Sequence, residues 1–194
     1  MVARGTTAGE VPARVRATAK STAVRLEPGV LTHELVARCA ADASRPAALG
    51  APWLLAHAYA VLAAHGATSR RRAMLQRIAT LAAAYFRLFG PRADWRFAGA
   101  EVRLGTGRID LAWATPAGHV IDELKTSRFA VVADDGEAIA QVVGYARAAS
   151  RQLADGFVGV RLLTLAIPGN ARFITPSLAV VPLAAMTFAN GGTR

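Results

Sequence analysis

The feature that most limits what this chain can become is the stretch Thr115-Pro116-Ala117-Gly118, set between two apolar-rich segments, Gly107–Ala114 and His119–Lys125. Proline presets the backbone for a turn and glycine adopts conformations closed to other residues, so the pattern predicts a β-hairpin. If the turn is four residues long, Ala114 faces His119, and counting back from that pair sets Asp110 across from Glu123. Side chains alternate along a strand, so Lys125 shares the side of Glu123 while Asp122 and Leu124 point the other way.

Two carboxylates directly opposed repel each other, and a divalent cation would remove the conflict. Mg²⁺ would take oxygens from Asp110 and Glu123 and from the Leu124 backbone carbonyl, with Mn²⁺ as a substitute. Lys125 would stand beside the ion, where an ammonium can hold a water or a phosphate oxygen and stabilise developing negative charge. Glu101 lies in the preceding apolar strand, Trp95 to Leu104, ahead of the short Gly105-Thr106-Gly107 connection. A meander would bring it beside Asp110 as a further metal-binding or catalytic acid; the alternative is a rim glutamate.

Charge points to the partner. The net charge is +10, and 21 of the 23 basic residues are arginine, only Lys20 and Lys125 being lysine. Such an excess favours a polyanion, nucleic acid or an anionic membrane surface. Residues 1–28 read as a basic, partly flexible arm carrying Arg4, Arg14, Arg16, Lys20 and Arg25, either touching a phosphate backbone or simply solvated. Residues 29–194, with 53% hydrophobic content over the whole chain, suffice for one domain with a core at about 68–167. Cys39 is alone, so neither an internal disulfide nor a cysteine-based zinc site is available, and it is expected to be a buried small residue. The most apolar stretch, Ala51 to Ala64, is too short to span a membrane, and no secretory pattern opens the chain. A soluble, cytoplasmic protein is expected.

Helical spacing predicts helices over Leu31–Ala43, with Thr32 as a possible N-cap, over Trp53–Ala64, and from Thr68 or Ser69 to Leu88 or Phe89. Met74, Ile78, Leu81, Tyr85 and Leu88 should face the core of the third. Arg70, Arg71 and Arg72 fall in its first turn, where cations oppose the helix dipole, which leaves them to solvent or to phosphate contact. Beyond Lys125, Thr126 and Ser127 either end the strand or touch phosphate. Phe129 to Val132 look like an apolar continuation, and Asp134-Asp135-Gly136-Glu137 starts a helix reaching about Leu153. On that helix Gln141 and Tyr145 are adjacent, as are Arg147 and Arg151, and both pairs could line a substrate groove. Strands are expected at Val158–Ile167 and Phe173-Ile174. Leu178–Phe188 could be helix or β-extension, with Pro182 against a long helix.

In order along the chain, Gly107-Arg108-Ile109-Asp110, Glu123-Leu124-Lys125 and the Gln141 to Tyr145 pair resemble the G-x-x-D, E-x-K and Q-x-x-x-Y elements of the PD-(D/E)XK nuclease superfamily, in its RecB-like exonuclease branch. The resemblance covers roughly Trp95 to Ile167. It implies an α/β, restriction-endonuclease-like core: a central mixed sheet with helices on both faces, here with extra N-terminal helices. It further implies metal-dependent hydrolysis of phosphodiester bonds in single- or double-stranded DNA, by an exonuclease or endonuclease of repair, recombination or defence. A helicase or other subunit could deliver the strand. Asp110 and Glu123 would be the ligands, Lys125 would assist the attacking water, and Gln141 and Tyr145 would orient the site or hold DNA. Related enzymes often add an upstream acid or histidine, but the predicted helix Ser69–Phe89 has neither. Glu101 or His65 could replace it. The alternative is a nucleic-acid-binding module of the same fold with weak or absent catalysis.

Overall fold

The computed structural model describes residues 27–42, 49–66, 71–127, 136–153 and 156–186. The arm with Arg4, Arg14, Arg16, Lys20 and Arg25 lies outside them, as do Arg70, the segment 129–132 and Asp134-Asp135.

Three helices come first: α1 (Pro28–Ala41), α2 (Ala51–Ala64) and α3 (Arg71–Leu88). The first two carry proline in the opening turn, where its missing N–H would have no intrahelical partner. Thr32 is not the cap of α1. It lies one turn inside, and its hydroxyl donates to the Pro28 carbonyl at 2.7 Å, while Glu27 takes the cap position with no side-chain bond. The strands β1 (Arg96–Leu104), β2 (Gly107–Thr115) and β3 (Gly118–Lys125) follow, then α4 (Gly136–Leu153), β4 (Phe157–Thr164), β5 (Arg172–Ile174) and β6 (Val180–Pro182).

The six strands form one mixed sheet in the order β1-β2-β3-β4-β5-β6. All neighbours are antiparallel except β3 and β4. A parallel pair needs a long crossover, and α4 provides it. The hairpin has the predicted register, with Ala114↔His119 and Thr115↔Gly118 paired. Its turn is closed locally: the Thr115 hydroxyl donates to the Gly118 carbonyl at 2.8 Å and accepts the Ala117 N–H at 3.2 Å. Gly118 has φ +125°, and a Cβ there would come 2.4 Å from the Gly156 carbonyl oxygen, so only glycine fits where β3 begins alongside the chain entering β4.

Two apolar clusters sandwich the sheet. Leu35, Val36, Leu62, Ile78 and Tyr85 of α1–α3 pack with Leu111, Trp113, Val120, Leu124 and Leu163. Val142, Tyr145, Ala146 and Ala149 of α4 pack with Ile109, Ile121, Leu162 and Ile174. In β1 the register shifts between Phe97 and Gly99, a bulge that moves later side chains off strict alternation. Leu88, expected inward, is 47% exposed where α3 ends. The region after Leu178 is β6 and a 3₁₀ turn, Leu183–Ala185.

Candidate metal centre and nucleic-acid interface

The hairpin ladder runs as far as Leu111↔Asp122, and one further step of the same register sets Asp110 beside Glu123. There Asp110 Oδ2 accepts the Leu124 N–H at 2.7 Å, so a side chain takes over from the backbone in bridging the strands. Glu123 is 4% exposed. Its Oε1 accepts from Lys125 Nζ at 2.8 Å, whereas Oε2 has no hydrogen-bond partner among the described residues. Burial, joined by the Asp110 charge, raises the Glu123 pKa above the ordinary carboxylate value, and Lys125 works against the shift. A buried carboxylate with one oxygen unanswered beside a second carboxylate is an unfavourable arrangement that a bound cation would relieve.

Helix α4 braces the site from one side. Lys125 Nζ also donates to Gln141 Oε1 at 2.9 Å, Gln141 Nε2 donates to the Tyr145 hydroxyl at 2.8 Å, and that hydroxyl donates to the Arg108 carbonyl at 3.0 Å. The four-residue spacing of Gln141 and Tyr145 puts them on adjacent turns and makes this chain possible. Gly107 completes it, since a Cβ there would lie 2.5 Å from the Tyr145 ring. The three sequence elements singled out above are therefore one hydrogen-bonded assembly. Gln141 and Tyr145 orient Lys125.

From the other side comes a residue the sequence did not disclose. His33 of α1 places Nδ1 3.0 Å from Asp110 Oδ1. Burial alone would lower its pKa, but the bond to Asp110 and the charges of Asp110, Glu123 and Glu101 outweigh that and raise it. The histidine beside the hairpin acids comes from α1 and not from α3 or the segment next to it. The available signal was a histidine among the apolar positions Leu31, Leu35 and Val36, a pattern that core-facing helices also show. His65 is bonded to Glu34 at 2.6 Å and His57 to Asp42 at 3.2 Å, so neither reaches the hairpin acids.

Glu101 falls between the pairs Ala100↔Leu111 and Val102↔Ile109, hence opposite Asp110 in register. Its carboxylate, 48% exposed, is taken by Arg108 Nε at 2.7 Å. Its φ of +53° is a left-handed conformation that non-glycine residues seldom adopt. Thr126 lines a cleft of about 630 Å³ with Gly29, Val30, His33, Lys125 and Gln141. Arg72 is exposed on the first turn of α3, and Arg147 is exposed on α4. Arg71 begins α3, but its side chain is outside the described set. Among the described residues no three His, Cys, Asp or Glu side chains form a ready cage, so a cation would also need main-chain or water oxygens.

Behind β3 lies a second polar cluster. Asp122, fully buried, accepts Arg161 Nε and Nη2, each at 2.6 Å, the Tyr85 hydroxyl at 2.8 Å and Trp113 Nε1 at 3.0 Å. Arg161 also donates to the Phe89 carbonyl at 2.9 Å and lies over the Trp95 ring.

Comparison with protein-family models, curated proteins and solved structures finds no match to this chain.

Proposed function

We propose that this protein is a Mg²⁺-dependent deoxyribonuclease with a PD-(D/E)XK, restriction-endonuclease-like core, hydrolysing phosphodiester bonds of DNA. The observation that carries the reading is the buried Glu123 carboxylate, one oxygen on Lys125 and the other unanswered, next to Asp110. Supporting it is the order of elements, helix, β-meander, crossover helix and parallel strand, expected of that core.

Asp110, Glu123 and the Leu124 carbonyl would hold the ion, with His33 at the Asp110 carboxylate. Bound there, Mg²⁺ or Mn²⁺ supplies a polarised phosphoryl group and a more acidic water. The remaining work belongs to the chain. Of the three N–H donors of Lys125, one is directed to Glu123 and one to Gln141, which leaves the third for a water or a non-bridging phosphate oxygen. Because both partners are fixed, little reorientation is needed as charge builds on that oxygen. The Tyr145–Arg108 bond ties this lysine to the strand that carries Asp110.

A second reading is favoured by one observation: both Asp110 oxygens are already engaged, by His33 and by the Leu124 N–H. On that reading the chain binds nucleic acid through its basic surface and cleaves slowly or not at all. Incubation with linear, circular and single-stranded DNA and with RNA, in EDTA and after adding Mg²⁺ or Mn²⁺, separates the two. Metal-restored DNA cleavage supports the nuclease; binding without turnover supports the module.

A further inference from the structure

Building on the nuclease reading, we propose that the groove between α3 and the end of β3, lined by Gln76, Arg77, Thr80 and Thr126, receives the sugar-phosphate backbone of the nucleotide next to the scissile bond. The substrate strand then crosses the end of the sheet from the α4 side to the α3 side.

The end of β3 is shared between two clefts. Lys125 turns to α4, where Gln141 accepts from its ammonium, and alternation sends the next side chain to the opposite face of the sheet. Thr126 follows that rule. It lines the cleft of about 630 Å³ that holds His33, Lys125 and Gln141. It also lines a second cleft, of about 380 Å³, with Ala73, Gln76, Arg77, Thr80 and Leu81 of α3 and with Ala166. Thr126 is the residue common to the two, so a strand lying in the first enters the second by passing over the residue that directly follows the candidate catalytic lysine. The pairing of β3 with β4 reaches this rim too, since the Leu165 N–H donates to the Lys125 carbonyl at 2.9 Å, which carries Ala166 to the same edge.

The junction between the clefts is kept open. Thr126 is half-buried, and its hydroxyl has no hydrogen-bond partner among the described residues. A Cβ at Gly29, in the first turn of α1, would lie 2.9 Å from Thr126 Oγ1 and crowd that hydroxyl.

Helix α3 presents a matching face. Ala73, Gln76, Arg77 and Thr80 are all exposed, and their spacing sets them on one side, away from the buried Ile78, Ala82 and Tyr85. A solvated helix face usually mixes charges of both signs. This helix has four arginines and no acid, and the Arg77 side chain has no ion-pair or hydrogen-bond partner among the described residues.

The lining of the second cleft identifies its occupant. One guanidinium, one amide and two hydroxyls can donate to phosphate oxygens, short alkyl groups of Ala73, Leu81 and Ala166 can lie against a sugar, and no carboxylate opposes an anion. No aromatic ring is present for a base to stack on, so the grip is on the backbone and independent of sequence. The volume is at the small end of ligand-sized cavities, suited to a single nucleotide. The exposed stripe carries no large apolar side chain to enter a bilayer, which favours a nucleic-acid strand over a membrane surface.

The test is fluorescence anisotropy of a labelled single-stranded DNA oligonucleotide with the full chain in EDTA, across a salt series, with phosphatidylcholine–phosphatidylserine vesicles in parallel. Arg77→Ala should weaken binding and lower the slope of log K against log salt by about 0.7, the share of one phosphate contact. Thr126→Val, which removes a hydroxyl and no charge, should weaken binding at an unchanged slope. Arg87→Ala takes the same charge from the same helix about 15 Å further along, and should keep both affinity and slope. In Mg²⁺, R77A should raise KM and spare kcat, the mark of a contact made equally in ground and transition state. A wild-type slope in R77A, an equal loss in R87A, undiminished binding by T126V, or a loss of kcat at unchanged KM in R77A would each overturn the groove. So would vesicle binding in place of the oligonucleotide, or no oligonucleotide binding by the unsubstituted protein. An unchanged R77A slope with active cleavage would remove the groove and leave the nuclease; groove-dependent binding with no cleavage would do the reverse.

Discussion

Asp122 and Glu123 are neighbours on β3, both buried, and they live in opposite conditions. Asp122 is saturated: four donors from Arg161, Tyr85 and Trp113 cover its two oxygens. Glu123 has one donor, Lys125, a second carboxylate nearby, and an oxygen with nothing to accept from among the described residues. A saturated buried charge holds a fold together, because any change in its partners leaves a charge stranded. An unsaturated one is tolerable where something else is to be bound. Thus one strand carries a structural acid on one side and a candidate metal ligand on the other.

The comparison breaks first at the chemistry. Asp110→Ala, Glu123→Ala and Lys125→Ala should each keep the fold, by circular dichroism, and lower Mg²⁺-dependent cleavage by about a hundredfold or more, as expected for lost electrostatic catalysis. Wild-type cleavage by all three would end the nuclease assignment. On the structural side, Asp122→Ala or Arg161→Ala should cost about 3–5 kcal/mol in urea unfolding, since each leaves its partner charged and buried. Replacing both by apolar residues of similar volume should cost less than either alone. If the single variants unfold like wild type, the cluster behind β3 is not structural.

How much of this was legible beforehand differs between the two acids. The turn Thr115–Gly118 and strict alternation led to the pairing of Asp110 with Glu123 and to the opposite direction of Asp122, because hairpin register is local. Arg161 as the partner of Asp122 was not legible, since β4 reaches β3 only through the α4 crossover and parallel register has no turn to count from. His33 escaped for a similar reason: which helix of three stands over Asp110 is decided by packing among distant segments. The bulge in β1, between Phe97 and Gly99, interrupts an alternation that the residue types alone continue. The bracing by Gln141 and Tyr145 was half visible, their mutual spacing being local and their link to Lys125 not.

A finer test sharpens the distinction between ligand and brace. Gln141→Ala should lower kcat about tenfold with little change in DNA affinity, since it removes only what steadies Lys125. A loss of affinity without loss of kcat would instead make Gln141 a strand contact. The smallest effect lies behind β3. Burial first, and then the Asp122 charge, push the Tyr85 pKa well above the usual tyrosine value, with Arg161 opposing. Its neutral form is favoured in the fold, so its contribution is fully present below the unfolded value and is lost as pH rises through the folded one. Absorbance titration should show one of the three tyrosines ionising only as the chain unfolds in alkali. Ionisation in the folded protein would place Tyr85 in a wetter setting than its full burial implies.

The most direct measurement is the melting temperature of the wild type and of Glu123→Gln across a Mg²⁺ titration in the absence of DNA. Ligand binding to the folded state alone raises stability by mass action. The unanswered carboxylate predicts that Mg²⁺ raises the wild-type melting temperature and leaves the glutamine variant where it was. Equal shifts in both proteins, or none in either, would contradict a cation site built on Glu123.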